Sequence, residues 1–388
     1  MPKKVIHTDR LMRPIAHFSH AARIGNVVHV GATAGVHPDL RLAGESRGRI
    51  DTTAQMRKMF ENLQTALGLI GAEVSDVVRI KTYLAFPRDV AIYRPIFEEF
   101  FPAQKLAHTV VGSWDFPLPQ AAVELDAVAV AGGGTADGAG GVIADGFHYA
   151  SASPINKHGQ TASVGNIREQ ASATLRNLQA MLEAAGLSPR DVCYLHLTLQ
   201  DIREHADIEP ILRGFFNQRL PACTVVGAPL ERSDFSISIE SFAARGGGEI
   251  VESSAAALRP GGPAPAMLCG DVLFLSAQLG LREETARCSS VEEQTELAWE
   301  RLHSLVASAG FGEDTMIRTN NILTDWRDYA GFNAGYGKNV REPYVPRATV
   351  LGHIAAIGAR VQIEGIAHRR GADATILQVP SPAKTSER

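Results

Sequence analysis

The pattern of apolar and polar positions predicts the same series of elements three times over. Helical openings begin at Gln55, Gln170 and Gln294, and sixteen residues after each glutamine stands a glycine, Gly71, Gly186 or Gly310. A glycine there suits a helix C-terminus, where the backbone turns to positive φ. A β-like apolar run follows, from Asp76 to Leu84, Asp191 to Leu199 and Met316 to Thr324. A second amphipathic helix comes next, as from Val90 to Phe101, where Tyr93, Phe97 and Phe100 recur at helical spacing. Fifty-three residues past each glutamine lie His108, Cys223 and Arg347, each heading a strand. A last strand closes each cycle: Ala122 to Asp126, Ile237 to Ser241 and Val361 to Gly365.

Equal spacings through two helices and two strands make this a tandem repeat. Each copy reads strand–strand–helix–strand–helix–strand–strand. Two helices cover one face of such a sheet, and the other face needs a partner. Two sibling sheets around a central axis supply it, so the expected fold is α+β, an intramolecular pseudo-trimer with central sheets and outer helices. The expected domains are residues 1–131, 142–245 and 249–371, with 372–388 a loose polar tail. Gly132-Gly133-Gly134 and the residues after it read as a flexible linker. The second copy starts near Val142 and is expected to lack a first strand.

Composition narrows the function. Apolar residues make up 45% of the 388 positions and charged ones 21%, enough for sizeable cores. The net charge of −4 has no basic stripe, which argues against a nucleic-acid partner. No apolar run reaches the ~18–20 residues of a membrane span. Cys193, Cys223, Cys269 and Cys288 show neither metal spacing nor a disulfide framework, so the expected setting is cytoplasmic and reducing. His17, His20, His29 and His37 cluster in sequence, but an extended segment points His17 and His20 to opposite faces, and no metal is expected. No nucleotide fingerprint is present, and no cofactor is inferred.

The segment Pro14-Ile15-Ala16-His17-Phe18-Ser19-His20-Ala21-Ala22 and the strand Val345-Pro346-Arg347-Ala348-Thr349-Val350 resemble those of the Rid/YjgF family of enamine/imine deaminases. The resemblance extends over all three copies. It implies a chorismate-mutase-like unit of the kind that forms homotrimers, with ligand sites in the clefts between subunits. It further implies an arginine that clamps a substrate carboxylate and a glutamate on the last strand that positions a water. A guanidinium holds a carboxylate bidentately and keeps its charge, and a carboxylate near an imine carbon can deprotonate the attacking water.

The copies depart unequally from that pattern. The arginine position holds His108, Cys223 and Arg347, and the glutamate position holds Glu124, Ser238 and Gln362. Asn333 and Tyr336 match a family binding segment, Ser276-Ala277-Gln278 matches a family strand, and Phe18 stands where the family has tyrosine. The expectation is one principal cleft of Arg347, Asn333 and Gln362, with Gln278 and Thr349 as further substrate-binding candidates. A second cleft would hold His108 and Glu124 as acid/base candidates. Cys223 has no visible base and reads as a small buried residue. The expected activity is hydrolysis of an imine, enamine or related C–N bond in a small carboxylate-bearing metabolite, by a monomeric pseudo-trimer or a small oligomer of it. Two alternatives stand beside it. One is another hydrolase or lyase on this scaffold, chorismatase-like or cyclic-amide-hydrolase-like. The other is a non-catalytic small-ligand binder.

Overall fold

A computed structural model describes residues 2–46, 49–102, 105–281, 289–312 and 314–380. Cys288 and the end of the tail lie outside the described residues. The first unit comprises β1 (Lys3–His7), β2 (Ala21–Ile24), β3 (Val27–Ala34), α1 (Thr52–Leu69), β4 (Val77–Leu84), α2 (Val90–Phe100), β5 (Ala107–Gly112) and β6 (Val123–Val130). The second runs through β7 (Thr135–Ala136), β8 (Val142–Ala144), β9 (Phe147–Ala152), α3 (Ile167–Ala184), β10 (Val192–Leu199), α4 (His205–Phe215), β11 (Ala222–Gly227) and β12 (Ile237–Ala244). The third comprises β13 (Glu249–Val251), β14 (Ala266–Cys269), β15 (Val272–Leu279), α5 (Val291–Ser308), β16 (Met316–Leu323), α6 (Tyr329–Asn339), β17 (Arg347–Leu351), β18 (Val361–His368) and β19 (Ala374–Gln378).

Each unit builds one sheet, with the last long strand at its centre and one parallel pair, β4–β5, β10–β11 or β16–β17. The sequence markers have physical roles. Asp51, Asn166 and Ser290 cap the first helix of each unit through side-chain oxygens. Gly71, Gly186 and Gly310 follow these helices at φ of 75°, 69° and 72°, the conformation glycine adopts without steric cost. The leading glutamine is a buried clamp. In each copy its amide donates to one backbone carbonyl, and its carbonyl accepts one N–H, of the loop before the last strand: Gln55 to Gln120 and Ala122, Gln170 to Asp234 and Ser236, Gln294 to Gly358 and Arg360. That pairing holds the last strand in register against the helix.

Two segments differ from expectation. The second unit does begin with a strand, the two-residue β7, in what reads as linker. Asp137 orders that stretch: its Oδ1 accepts from the N–H groups of Ala139, Gly140 and Gly141, and its Oδ2 meets His148 Nε2 at 2.8 Å. The tail is not loose over residues 374–378, where β19 pairs in parallel with β1 and Leu377 packs on the first unit's core. An edge strand offers unpaired N–H and C=O groups, and β19 satisfies those of β1.

The helix side of each sheet holds one apolar core. The opposite faces meet on a pseudo-threefold axis, where each last strand contributes one carboxylate: Asp126, Glu240 and Glu364, all buried. Arg79 bonds both Asp126 and Glu240, and Arg318 donates to Asp126 at 2.6 Å. Lys81 lies 2.8 Å from Glu240. Glu364 accepts from Tyr194 and Asn320, with His196 3.4 Å away. Burial raises the carboxyl pKa values, but Arg318 and Arg79 at Asp126, Arg79 and Lys81 at Glu240, and His196 at Glu364 more than reverse it, so all three lie below their ordinary range. Three carboxylates and three permanent cations thus lock three units together. Removing one partner of such a network strands buried charge at a cost of about 3–5 kcal/mol. Asp126→Ala should destabilise the chain by that amount in a urea-unfolding measurement, while Asp39→Ala, at an exposed pair with Arg41, should leave the midpoint unchanged.

Candidate active site

The units meet along three seams, each placing the parallel edge strand of one unit against the third strand of the next. Along β17 and β3, Ser19 N–H donates to Val345 and a Cβ on Gly31 would lie 2.9 Å from Arg347 N, so only glycine admits this approach. Thr109 and Ser151 hydrogen-bond at 2.7 Å along β5 and β9. Along β11 and β15, Cys223 N–H donates to Ser276 Oγ at 2.7 Å. Gly31 of β3, Ser151 of β9 and Ser276 of β15 are therefore seam residues.

The β17–β3 seam is chemically distinct. Arg347 is 3% exposed. Its Nη2 donates to Asn333 Oδ1 at 2.6 Å, and its guanidinium lies 4.5, 5.3 and 5.8 Å from the ring centres of Tyr336, Phe332 and Phe18. Asn333 is itself held by Tyr329, whose carbonyl accepts from Nδ2 at 2.9 Å. The arginine is thus fixed between aromatic faces, and its Nη1 is buried with no hydrogen-bond partner. Leaving a charged donor unmet in a dry site is costly unless a ligand meets it.

Across the same cavity stands Glu124 of the first unit, 6% exposed, with Oε2 buried and unpartnered. Burial pushes its carboxyl up to about 8. Among the described residues neither Arg347 nor Glu124 forms an ion pair, so a gap separates the cation from the carboxyl. Thr349, Ala32, Ala34, Phe18, Leu118 and Tyr329 complete the walls around a cavity of about 40 Å³, room for a few waters. Larger hollows lie elsewhere, one of about 620 Å³ beside Trp299 and Tyr344, but the unpaired Arg347 and Glu124 line this one.

The other two seams lack this chemistry. His108 stacks on Phe97 at 4.1 Å and pairs with the Tyr93 hydroxyl at 2.9 Å. Burial and nearby Arg94 hold its imidazole well below the ordinary range, so it stays neutral and offers no anion site. Arg94 reaches across to Glu231 and ties that cleft shut. Cys223 is buried and its thiol is pushed up by burial, which leaves no thiolate for nucleophilic work.

Two expected groupings are corrected. Gln362 does not join Arg347: its Nε2 donates to Val225 of the second unit at 3.1 Å, on the Cys223 side. Gln278 bonds back to Ser276 at the bulge of β15, on that same side. Glu124 does not face His108 but faces Arg347. The reason is the cyclic order, since each unit's edge strand completes a cleft with the next unit's last strand. His108 is thereby set toward Ser238, Cys223 toward Gln362 and Arg347 toward Glu124. Of the ways to pair the copies, this alone reunites arginine with glutamate, a signal already present in the residues. Sequence reading missed Phe332 in the aromatic clamp and the wall residues Ala34, Leu118 and Tyr329.

Comparison with known proteins agrees with this architecture. A RutC family protein of Pyrococcus abyssi is 30% identical over 130 residues, which is 33% of this chain and 98% of that protein. The 2-iminobutanoate/2-iminopropanoate deaminase of Dermatophagoides farinae is 29% identical over 129 residues, 33% of this chain and 97% of its own. Each relative is thus the length of one unit. The crystal structure of a chorismatase covers 76% of this chain and 93% of its own at a TM-score of 0.54 and 15% identity, a likeness of fold. Residues 8–131, 139–245 and 257–369 each match the family model described as Endoribonuclease L-PSP, and the chain belongs to that family, Rid/YjgF, as three tandem units closed into a pseudo-trimer.

Proposed function

We propose that the chain is a cofactor-independent deaminase that hydrolyses a small 2-imino acid in the single cleft between its third and first units. The observation that carries this reading is the meeting of Arg347 and Glu124 across one small cavity, each with a buried polar atom unpartnered. The names of single-unit relatives, deaminases among them, support the reaction class.

Arg347 Nη1 receives the substrate carboxylate, while Asn333 and the aromatic faces of Tyr336 and Phe18 fix the guanidinium plane. The imine carbon then lies toward Glu124. The ionised carboxylate of Glu124 takes a proton from water as the water oxygen bonds to the imine carbon, and the imine nitrogen takes up a proton. Glu124 next returns its proton to the amine of the carbinolamine; as the C–N bond breaks, the carbinolamine hydroxyl gives its proton to solvent, replacing the one that the imine nitrogen drew from solvent, and ammonia leaves with a 2-oxo acid. At about 40 Å³ the cavity must widen to admit even a short 2-imino acid, which favours a small side chain.

Turnover of freshly generated 2-iminobutanoate tests the assignment. Glu124→Gln should lower kcat by about 10²–10⁴-fold. Arg347→Ala should lower kcat/KM by roughly 10–150-fold, the worth of one charge-assisted contact. His108→Asn and Cys223→Ser should stay within about twofold. Loss of turnover in His108→Asn or Cys223→Ser with Arg347→Ala unaffected would place the work in another cleft.

The active form of Glu124 is the ionised one, and burial holds its pKa up to about 8. The kcat/KM of the free enzyme should therefore rise about tenfold per unit below pH 8 and level off above it, a trend the Glu124→Gln variant should lack. Stability runs the other way. A carboxyl whose folded pKa lies above its unfolded value stabilises the fold below about pH 4.3, and that contribution is lost as pH climbs through about 8. From pH 5 to 9, urea titrations should show Glu124→Gln gaining on the wild type by of order 2–5 kcal/mol.

A further inference from the structure

Beyond the axial carboxylates the three inner sheet faces part and enclose a second hollow. Two residues past Asp126, Glu240 and Glu364 stand Val128, Phe242 and Ile366, and across the ladder from them lie His29, Tyr149 and Phe274. His29, Tyr149, Phe274, Phe242, Ile366 and Phe147 line a cavity of about 360 Å³ to which all three units contribute. Its walls are largely aromatic, with Phe242 stacked on Phe274 at 5.7 Å and edge-on to Tyr149 at 5.2 Å.

The polar groups around this hollow are mostly committed. At its mouth Arg370 pairs with Asp271, Asn26 bonds Asp145, and His368, also on the wall, accepts from the Arg370 N–H at Nδ1. On its inner side Arg79 and Arg318 are engaged by the axial carboxylates. His29 is different: it is 5% exposed, lines the cavity, and among the described residues its ring makes no hydrogen bond, with Nδ1 fully buried. Burial, with Arg318 and Arg79 behind it, keeps the imidazole neutral, so it holds one donor and one acceptor nitrogen. A charged ligand would lose its hydration against apolar walls. A homotrimer would set the same side chain three times around this axis. Here histidine, tyrosine and phenylalanine stand at one level, so the three sides of the hollow differ and only one of them carries an imidazole.

We propose that this axial cavity is a second ligand site, separate from the Arg347 cleft, for a neutral one- or two-ring aromatic molecule whose N–H or O–H group bonds His29. A cavity of about 150 Å³ takes benzene, so one of about 360 Å³ has room for a fused bicycle.

Indole is the probe, titrated calorimetrically into the full chain, with 1-methylindole as the partner that lacks the N–H. The expected result is one saturable indole site per chain, weakened roughly tenfold by His29→Leu, the worth of one hydrogen bond. The same variant should leave 1-methylindole within about twofold. Ile366→Trp, which fills the hollow, should abolish binding of both probes. Both variants should keep the wild-type 2-iminobutanoate turnover, which certifies the fold because neither residue touches the Arg347 cleft. Absence of saturable indole binding to the wild type would overturn the site, as would equal indole affinity in Ile366→Trp. Equal weakening of both probes by His29→Leu would overturn the role of His29.

Discussion

The ion network on the pseudo-threefold axis is the constraint to which the rest of the molecule answers. Each last strand brings a carboxylate to the axis at one level, and three buried negative charges cannot stand there alone. A homotrimer must repeat one solution three times. This chain instead distributes the partners: Arg79 and Lys81 from the first unit, Tyr194 and His196 from the second, Arg318 and Asn320 from the third. Each carboxylate takes a partner from a neighbouring unit: Asp126 from the third, Glu240 from the first and Glu364 from the second. The cyclic arrangement of units is fixed by that sharing, and with it which edge strand completes which cleft.

Once the order is fixed, the unequal chemistry of the copies becomes coherent. The arginine survives only in the third unit and the glutamate only in the first, yet the fold brings these two to one cavity. The other seams hold an imidazole kept neutral by burial and a thiol kept protonated, with serine or glutamine opposite. Their side chains bond to the fold itself: His108 to Tyr93 and Arg94 to Glu231 at one, Gln362 to Val225 at the other. Fusion permits this, because a substitution in one cleft is no longer copied into the other two.

Much of the fold was legible because the repeat is carried by residues with fixed mechanical jobs. The leading glutamine clamps the loop before the last strand, and the glycine sixteen positions later ends the first helix. Both recur at constant spacing, so the units could be aligned without knowing their contacts. What escaped the sequence was set by tertiary contacts, within a unit or between two. Gly132-Gly133-Gly134 reads as linker, but the ordering of the next residues depends on Asp137 meeting His148. The tail reads as polar, but Ala374–Gln378 is held by the open edge of β1, some 370 residues away in sequence. The site was half legible for the same reason. Arg347, Asn333 and Glu124 were identified from their positions in the repeat, while their grouping required the direction in which the units follow one another around the axis.

The central claim, one working cleft built from two ends of the chain, is tested most directly by a crystal structure of the full chain soaked with 2-oxobutanoate. The account predicts one molecule per chain, its carboxylate on Arg347 Nη1 and its carbonyl carbon toward Glu124. Density at the His108 or Cys223 seam with the Arg347 cleft empty would contradict it, as would equal occupancy of all three.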